Sequence, residues 1–397
     1  MTREQIAARL REARESIGFT QAEVARELGV HRPTISEIEA GRRAVTSEEL
    51  YRLAQLYGTS VGALLTEGPP PEEDVERILF RRQGLLDTPR ARTAIRRFMQ
   101  HCRAERELEE LLGLEPPPDA RPGYTIRTPG SVMEAVAHGE EVAEEERRRL
   151  GLGAEPIRNP LDLLDRQGVR IAALHGLEDI ELDGVYFEAA QLGACIGINL
   201  ECDHWTGFRP AFTAAHEYAH WLLRDVRAEE FSLTRSGSDV IEVRANAFAA
   251  ALLMPRSGVL EYFGQVGLLR NDRVRPLAPA DIVRAMDHFG VSRPALAFRL
   301  QNLGLIDGAE SERLRSLEFS PVNVAKKLGL RLRRDNNVGA RFGSLVTEAW
   351  RRGLITTGRA ADLLGLDVDS YRSRMWATGV ELESTEDVPL LGAAGAG

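Results

Sequence analysis

The sequence predicts a mainly α-helical protein with a small β-sheet, of the α+β class. Three observations predict it. The first 65 residues break into short helical periods opened by capping signals. Three short apolar runs, Val169–Leu174, Gly184–Phe187 and Ala194–Asn199, read as strands of one small sheet. Most of the remainder keeps helical spacing between proline and glycine breaks.

The N-terminal elements follow in order. Thr20-Gln21-Ala22-Glu23 is a capping box that opens a helix with Val24 and Leu28 on one side. Gly29-Val30 makes a tight turn, and residues 31–39 form a second helix. Pro33 is tolerated in its first turn, and Gly41 lies just past its end. Thr46-Ser47-Glu48-Glu49 opens a further helix with Leu50, Leu53, Ala54 and Tyr57. Ile35 and Ile38 face the core. Arg32, Thr34 and Ser36 face out, a polar set suited to base edges and phosphates, with Arg42 and Arg43 placed to reach phosphate.

Two proline runs, at Gly68–Pro71 and Glu115–Pro118, mark linkers. Between them the spacing predicts helices over 72–82 and 89–112. The second carries a discontinuous apolar stripe of Ile95, Phe98, Met99, Cys102, Leu108, Leu111 and Leu112. That stripe fits equally a helix packed on a neighbouring domain and a homodimer interface. Ser131 caps a long charged helix to about 150, and Asn159-Pro160 starts a short one ahead of the strands. Helices over 279–289 and 292–303, split by Gly290-Val291-Ser292, echo a helix-turn-helix but read better as a structural subdomain. Residues 311–383 are helical and polar, with a short helix-turn pattern at Thr357–Leu366, and the Gly/Ala tail from Leu391 is expected to be disordered.

A chain of 397 residues accommodates two to four domains, and 43% hydrophobic content supports real cores. No apolar run approaches the length of a membrane span, and the polar, helical start does not read as a signal peptide. Cys102, Cys195 and Cys202 form no disulfide framework and no CxxC pair, so a cytoplasmic location is expected. The formal charge of −9 gives no general case for a membrane or polyanion partner.

The chemistry concentrates in His216-Glu217-Tyr218-Ala219-His220. Two histidines four apart on a helix differ by about 40° of rotation, so both rings leave one face and can share a metal ion. Glu217 stands beside the first ligand, where its carboxylate can take a proton from an attacking water. The apolar flanks Phe212–Ala215 and Trp221–Leu223 argue that this helix is buried, and buried histidines need partners. A third ligand is required. Glu242, 22 residues after His220, opens an alanine-rich helix that Pro255 ends. A carboxylate suits a helix N-terminus on electrostatic grounds alone. It also suits a helix that aims it at the metal. Ligand histidines must be deprotonated, so zinc is expected to leave as pH falls.

The run Arg209-x-x-Phe212-Thr213-x-Ala215-His216-Glu217-x-x-His220, followed by Glu242-x-x-Ala245-Asn246-x-Phe248-Ala249-x-x-Leu252-Leu253-Met254-Pro255, resembles the ImmA/IrrE-type metallopeptidases. Ala194–Asn199 lies where that family places a strand ending in Asn. The resemblance implies a zincin-like catalytic domain, a zinc ion held by His216, His220 and Glu242, and Glu217 as general base. It also implies site-specific cleavage of a transcriptional repressor in stress or mobile-element control. Tyr186, His204 and Tyr218 are candidate donors to the oxyanion.

The N-terminal segment resembles the XRE helix-turn-helix family through Thr20-Gln21, Leu28-Gly29-Val30, Thr34-Ile35-Ser36-x-Ile38-Glu39 and Gly41. The resemblance implies five helices and binding to a double-stranded operator. Residues 31–39 would be the recognition helix, and Gln21, Arg32, Thr34 and Ser36 would stand at the DNA. Residues 1–66 hold nine arginines and nine glutamates, and Glu37 puts an acid near the recognition face. The module is therefore neutral, and docking to a homologous repressor is the alternative to DNA binding. The resulting division is 1–67 helix-turn-helix, 68–125 helical linker, 126–306 peptidase domain and 307–390 a regulatory or oligomerisation region. Two rival functions stay open: a DNA-binding regulator whose metal domain senses or scaffolds without cutting, and an antitoxin or immunity regulator.

Overall fold

Apolar residues at helical spacing, closed by caps, make five helices of the N-terminal segment: α1 (Arg3–Ile17), α2 (Gln21–Leu28), α3 (Arg32–Glu39), α4 (Ser47–Tyr57) and α5 (Val61–Leu65). This computed structural model describes residues 2–65, 88–114, 121–177, 182–189, 192–201, 209–225, 232–233, 239–330, 332 and 338–378. Thr20 and Thr46 accept from the backbone N–H of Glu23 and Glu49, and each glutamate returns a bond to its cap residue. Such a cap contributes about 1 kcal/mol. Thr2 and Gln5 make the same box, so the first helix begins ahead of Leu10, where the apolar pattern alone starts. Gly29 turns between α2 and α3 at φ 70°, a left-handed conformation that glycine adopts without strain. Leu10, Val24, Ile35, Ile38, Leu53 and Tyr57 close one core. Arg14 grips Glu39 with both a 2.7 and a 3.1 Å bond, tying α1 to α3.

Helix α6 (Pro89–Leu111) begins on this domain. Thr93 Oγ1 donates to the Leu56 carbonyl at 2.9 Å and Arg97 Nε to the Gln55 carbonyl at 3.0 Å. These carbonyls lie in the last turn of α4, where helical partners run short. Ala91, Ala94, Ile95, Phe98, Met99 and Cys102 are all buried within the chain. Phe98 meets Phe187 edge-on at 5.5 Å. The stripe on this helix is thus covered by its own chain as far as Leu108, while Leu111 is exposed.

Helices α7 (Val132–Arg149, capped by Ser131) and α8 (Pro160–Asp165, capped by Asn159) lead into the sheet. Strands β1 (Val169–Leu174), β2 (Gly184–Ala189), β3 (Gly193–Asn199) and β4 (Ser232–Leu233) lie in the order β1-β3-β2-β4. β3 runs parallel to β1, with Val169 opposite Ala194, and antiparallel to β2. Helix α9 (Arg209–Leu223) packs on β2 and β3 and also on α10 (Val240–Leu253). It is therefore enclosed on two sides, and its small residues Ala214, Ala215 and Ala219 are fully buried. α10 in turn packs on α7. At that crossing a methyl group on Gly139 would lie 2.4 Å from the Arg244 carbonyl oxygen, so only glycine permits the approach.

Pro255 ends α10, and α11 (Arg256–Gln265) follows. Strands β5 (Leu269–Arg270) and β6 (Arg273–Val274) form a two-residue hairpin in which Asn271 and Asp272 both take positive φ. Then come α12 (Pro279–Phe289), α13 (Arg293–Asn302), α14 (Gly308–Ser316) and α15 (Pro321–Lys327). Ile282, Met286, Phe289, Leu296 and Leu300 join the main core. Arg299 is buried and donates to the Met254 carbonyl at 2.9 Å, which ties α13 to the end of α10.

By contacts the chain falls into two units, residues 1–100 with 119–338 and residues 101–118 with 339–397. Residues after 307 do not all leave the first unit, because Leu314 of α14 shares a core with Leu305 and Ile306. The second unit packs α6 from His101 onward with α16 (Ala340–Arg351), α17 (Thr357–Leu363) and α18 (Val368–Thr378). Leu108, Phe342, Val346, Trp350, Ala360 and Tyr371 form its core. The expected helix over 72–82, both proline linkers, Cys202, His204 and the tail from 391 lie outside the described residues. Among the described residues, no helix is long and apolar enough to cross a membrane.

Candidate metal centre

Helix α9 places His216 and His220 on one face, with their Nε2 atoms 3.1 Å apart. Asp239 caps α10 by accepting from the Ile241 N–H, which sets Glu242 in the first turn. Because α10 runs along α9, that first turn reaches the histidines. Glu242 Oε2 lies 3.1 Å from His216 Nε2, and Oε1 lies 3.5 Å from His220 Nε2. The three residues are brought together as a group able to hold a metal ion.

The other nitrogen of each ring is anchored. His216 Nδ1 sits 3.1 Å from Asn246 Oδ1, and His220 Nδ1 sits 3.1 Å from Asp225 Oδ2. A carboxylate only accepts, so the proton of a neutral His220 ring stays on Nδ1 and its Nε2 offers a lone pair. Asn246 does the same for His216 through its carbonyl oxygen. Two nitrogen lone pairs and a carboxylate then converge with no hydrogen-bond donor among them. Such a cluster attracts a cation. The field is visible in the titrations: burial works to lower His220, but hydrogen bonds to Asp225 and Glu242 and the Glu217 charge hold it up to about 10. Burial works to raise Glu242, but the two rings hold it down to about 2. Donors bound tetrahedrally to one zinc at about 2.1 Å stand roughly 3.4 Å apart. The observed separations and the His₂Glu donor set therefore fit zinc.

His216 and His220 are each 1% exposed and Glu217 is 0% exposed, whereas the Glu242 side chain is 17% exposed, so the cluster meets solvent on the Glu242 side. Gly184 of β2 packs against Glu217. A methyl there would lie 3.2 Å from Glu217 Oε1 and 2.5 Å from the Thr213 methyl. The strand thus closes over the carboxylate with no side chain between them.

Both candidate tyrosines carry other hydrogen bonds. Tyr218 Oη donates to Glu146 Oε1 at 2.6 Å in the core, and the same carboxylate takes the Tyr124 hydroxyl. Tyr186 Oη donates to Glu188 Oε2 at 3.1 Å. Both hydroxyls are engaged by carboxylates outside the candidate ligand set, and residue 204 lies outside the described residues.

In the N-terminal domain Arg32 and Arg42 are exposed, while Thr34 and Ser36 are half-buried beside the core-facing Ile35 and Ile38. Arg43 pairs with Glu49 at 2.8 Å, and the Gln21 amide donates to Glu39 at 2.9 Å. Arg32 and Arg42 therefore remain the most available cations around α3, and Gln21 and Arg43 carry intramolecular bonds.

Sequence reasoning missed Asp225 and Arg244 and gave Asn246 no role. Asn246 was findable, since it stands four residues after Glu242 on the same helix face. Arg244 had one signal, a charge inside an alanine-rich buried helix. Asp225 had none beyond its place just past the end of α9.

Residues 10–64 match the family model described as Helix-turn-helix, and residues 165–301 match that of the IrrE N-terminal-like domain. Neither a search of curated proteins nor one of solved structures gives a match. The first domain resembles a DNA-binding type, and the second is metallopeptidase-like. The chain thus carries a region similar to XRE-type helix-turn-helix domains followed by one similar to the IrrE N-terminal-like metallopeptidase domain.

Proposed function

We propose that this protein is a DNA-binding regulator with a zinc-dependent endopeptidase domain that cuts a protein substrate, a helix-turn-helix repressor, in stress or mobile-element control. Residues 1–67 would bind the operator, 68–125 link, 126–306 carry the chemistry, and 307–390 regulate or oligomerise. The observation that carries the reading is the convergence of His216, His220 and Glu242 with the buried Glu217 on the same helix as the histidines.

His216, His220 and Glu242 would hold the zinc ion. When bound, zinc polarises the scissile carbonyl and acidifies water. Glu217 takes the proton of the attacking water and delivers it to the leaving amine. Its buried position keeps its carboxylate away from bulk solvent. Asn246 and Asp225 hold the rings so that no reorientation is needed during the reaction.

The direct test is metal content. Purified wild type should carry about one zinc per chain and His216→Ala essentially none. Absence of metal in both, after zinc is supplied, would end the peptidase reading and leave a regulator that senses or scaffolds without cutting, or an antitoxin.

The DNA-binding half has its own test. Arg32 is exposed at the start of α3. Arg32→Ala should weaken binding to the operator duplex roughly tenfold, read by fluorescence anisotropy across a salt series. No duplex affinity in wild type even at low salt would favour docking on a repressor protein.

A further inference from the structure

Helix α10 meets the cluster three times. Glu242 supplies a ligand atom, Asn246 anchors His216 directly, and Arg244 reaches the partner of His220. Asp225 turns one carboxylate oxygen to His220 Nδ1 at 3.1 Å and the other to the Arg244 guanidinium. The Arg244 side chain is 1% exposed and that of Asp225 5% exposed, so this ion pair is shut inside the protein. Arg244 Nη1 also donates to the Arg127 carbonyl at 2.6 Å and reaches His138 Nδ1 at 3.5 Å. Guanidinium nitrogens cannot accept, so His138 Nδ1 is the acceptor and its Nε2 donates to the Thr125 carbonyl at 2.9 Å. Thr125 and Arg127 precede α7, and His138 lies on it. The guanidinium is thus fixed from a second element.

We infer that Arg244, acting through Asp225, is the positioning residue for His220. The reasoning is geometric. A carboxylate rotates freely about its last bond unless both oxygens are held. Arg244 holds the far oxygen, which fixes the near one on Nδ1 and aims Nε2 at the cluster. It also cancels the charge of a carboxylate that would otherwise sit buried and unpaired, a strongly unfavourable arrangement. One helix therefore sets the orientation of both histidines while delivering the third ligand. Any displacement of α10 moves all three together. The inference rests on the zinc reading above.

The experiment uses the full-length protein. Zinc affinity is measured by competition with a chromophoric chelator, ligand geometry by the visible spectrum of the cobalt-loaded protein, and fold by thermal unfolding of the metal-free form. Arg244→Met should weaken zinc binding roughly ten- to a hundredfold and alter the cobalt spectrum, with Arg244→Lys intermediate. Asp225→Asn keeps volume, yet its single carbonyl oxygen cannot hold both neighbours, so it should lose affinity similarly even if Arg244→Met folds poorly. The double variant should be no weaker than the worse single, because both act along one path. Wild-type zinc affinity and cobalt spectrum in Asp225→Asn would overturn the inference, as would additive losses in the double variant. A wild type that binds no zinc would overturn the metal reading and the inference with it, which separates the two failures.

Discussion

Glu217→Gln is expected to keep about one zinc per chain and to lower peptide cleavage roughly a thousandfold, the usual span for removing a general base. The amide has nearly the shape of the carboxylate, so the packing against Gly184 is preserved. It cannot take a proton. The fold should not suffer, since a buried amide is less costly to bury than a buried charge. The three candidate ligands His216, His220 and Glu242 are untouched. Metal analysis and a cleavage assay on the same preparation decide the matter. A variant that binds zinc and still cuts at the wild-type rate would remove Glu217 from the chemistry.

Gly139→Ala should destabilise the first unit by about 2 kcal/mol even though alanine is the better helix former. Helix propensity favours alanine by about 1 kcal/mol. The added carbon, however, would lie 2.4 Å from the Arg244 carbonyl oxygen and 2.9 Å from the Phe248 nitrogen. Both are backbone atoms of α10, so relief requires the two helices to separate. Separation would carry Glu242, Arg244 and Asn246 away from the histidines, and zinc affinity should fall with stability. Gly264 of α11 provides the comparison. It is exposed, and a methyl there meets nothing within 4 Å, so Gly264→Ala should be neutral or stabilising. Thermal unfolding of the two variants side by side checks the sign. A Gly139→Ala protein as stable as the Gly264→Ala protein would show that the crossing is looser than described.

The elements were legible where the cause is local. A threonine and a glutamate three residues apart fix a helix start, because the two bonds they make involve only neighbours. The three main strands stood out as short apolar runs, and β1 and β3 begin and end within a residue of the expected limits. The stripe on α6 was legible as apolar, but its partner was not. Apolar periodicity marks a face without saying what covers it, and here the chain itself covers Ile95, Phe98, Met99, Cys102 and Leu108 but leaves Leu111 exposed. α14 was assigned away from the first unit because a polar helix after a glycine looks like a new region. Its one deeply buried leucine, Leu314, decides otherwise.

The candidate site divides the same way. By itself the sequence determined that His216 and His220 share a face with Glu217 beside them, since helix geometry over four residues leaves no freedom. It also determined that Glu242 opens a second buried helix. Only the tertiary structure decided that this helix runs along the first closely enough to bring a carboxylate within 3.1 Å of a ring nitrogen. The same packing turned Tyr218 to Glu146 and gave each histidine its anchor, Asn246 for one and Asp225 with Arg244 for the other. The physical reason is range. Caps and ligand spacing depend on bonds between near neighbours, whereas ring orientation depends on hydrogen bonds between side chains that meet only once α7, α9 and α10 have packed.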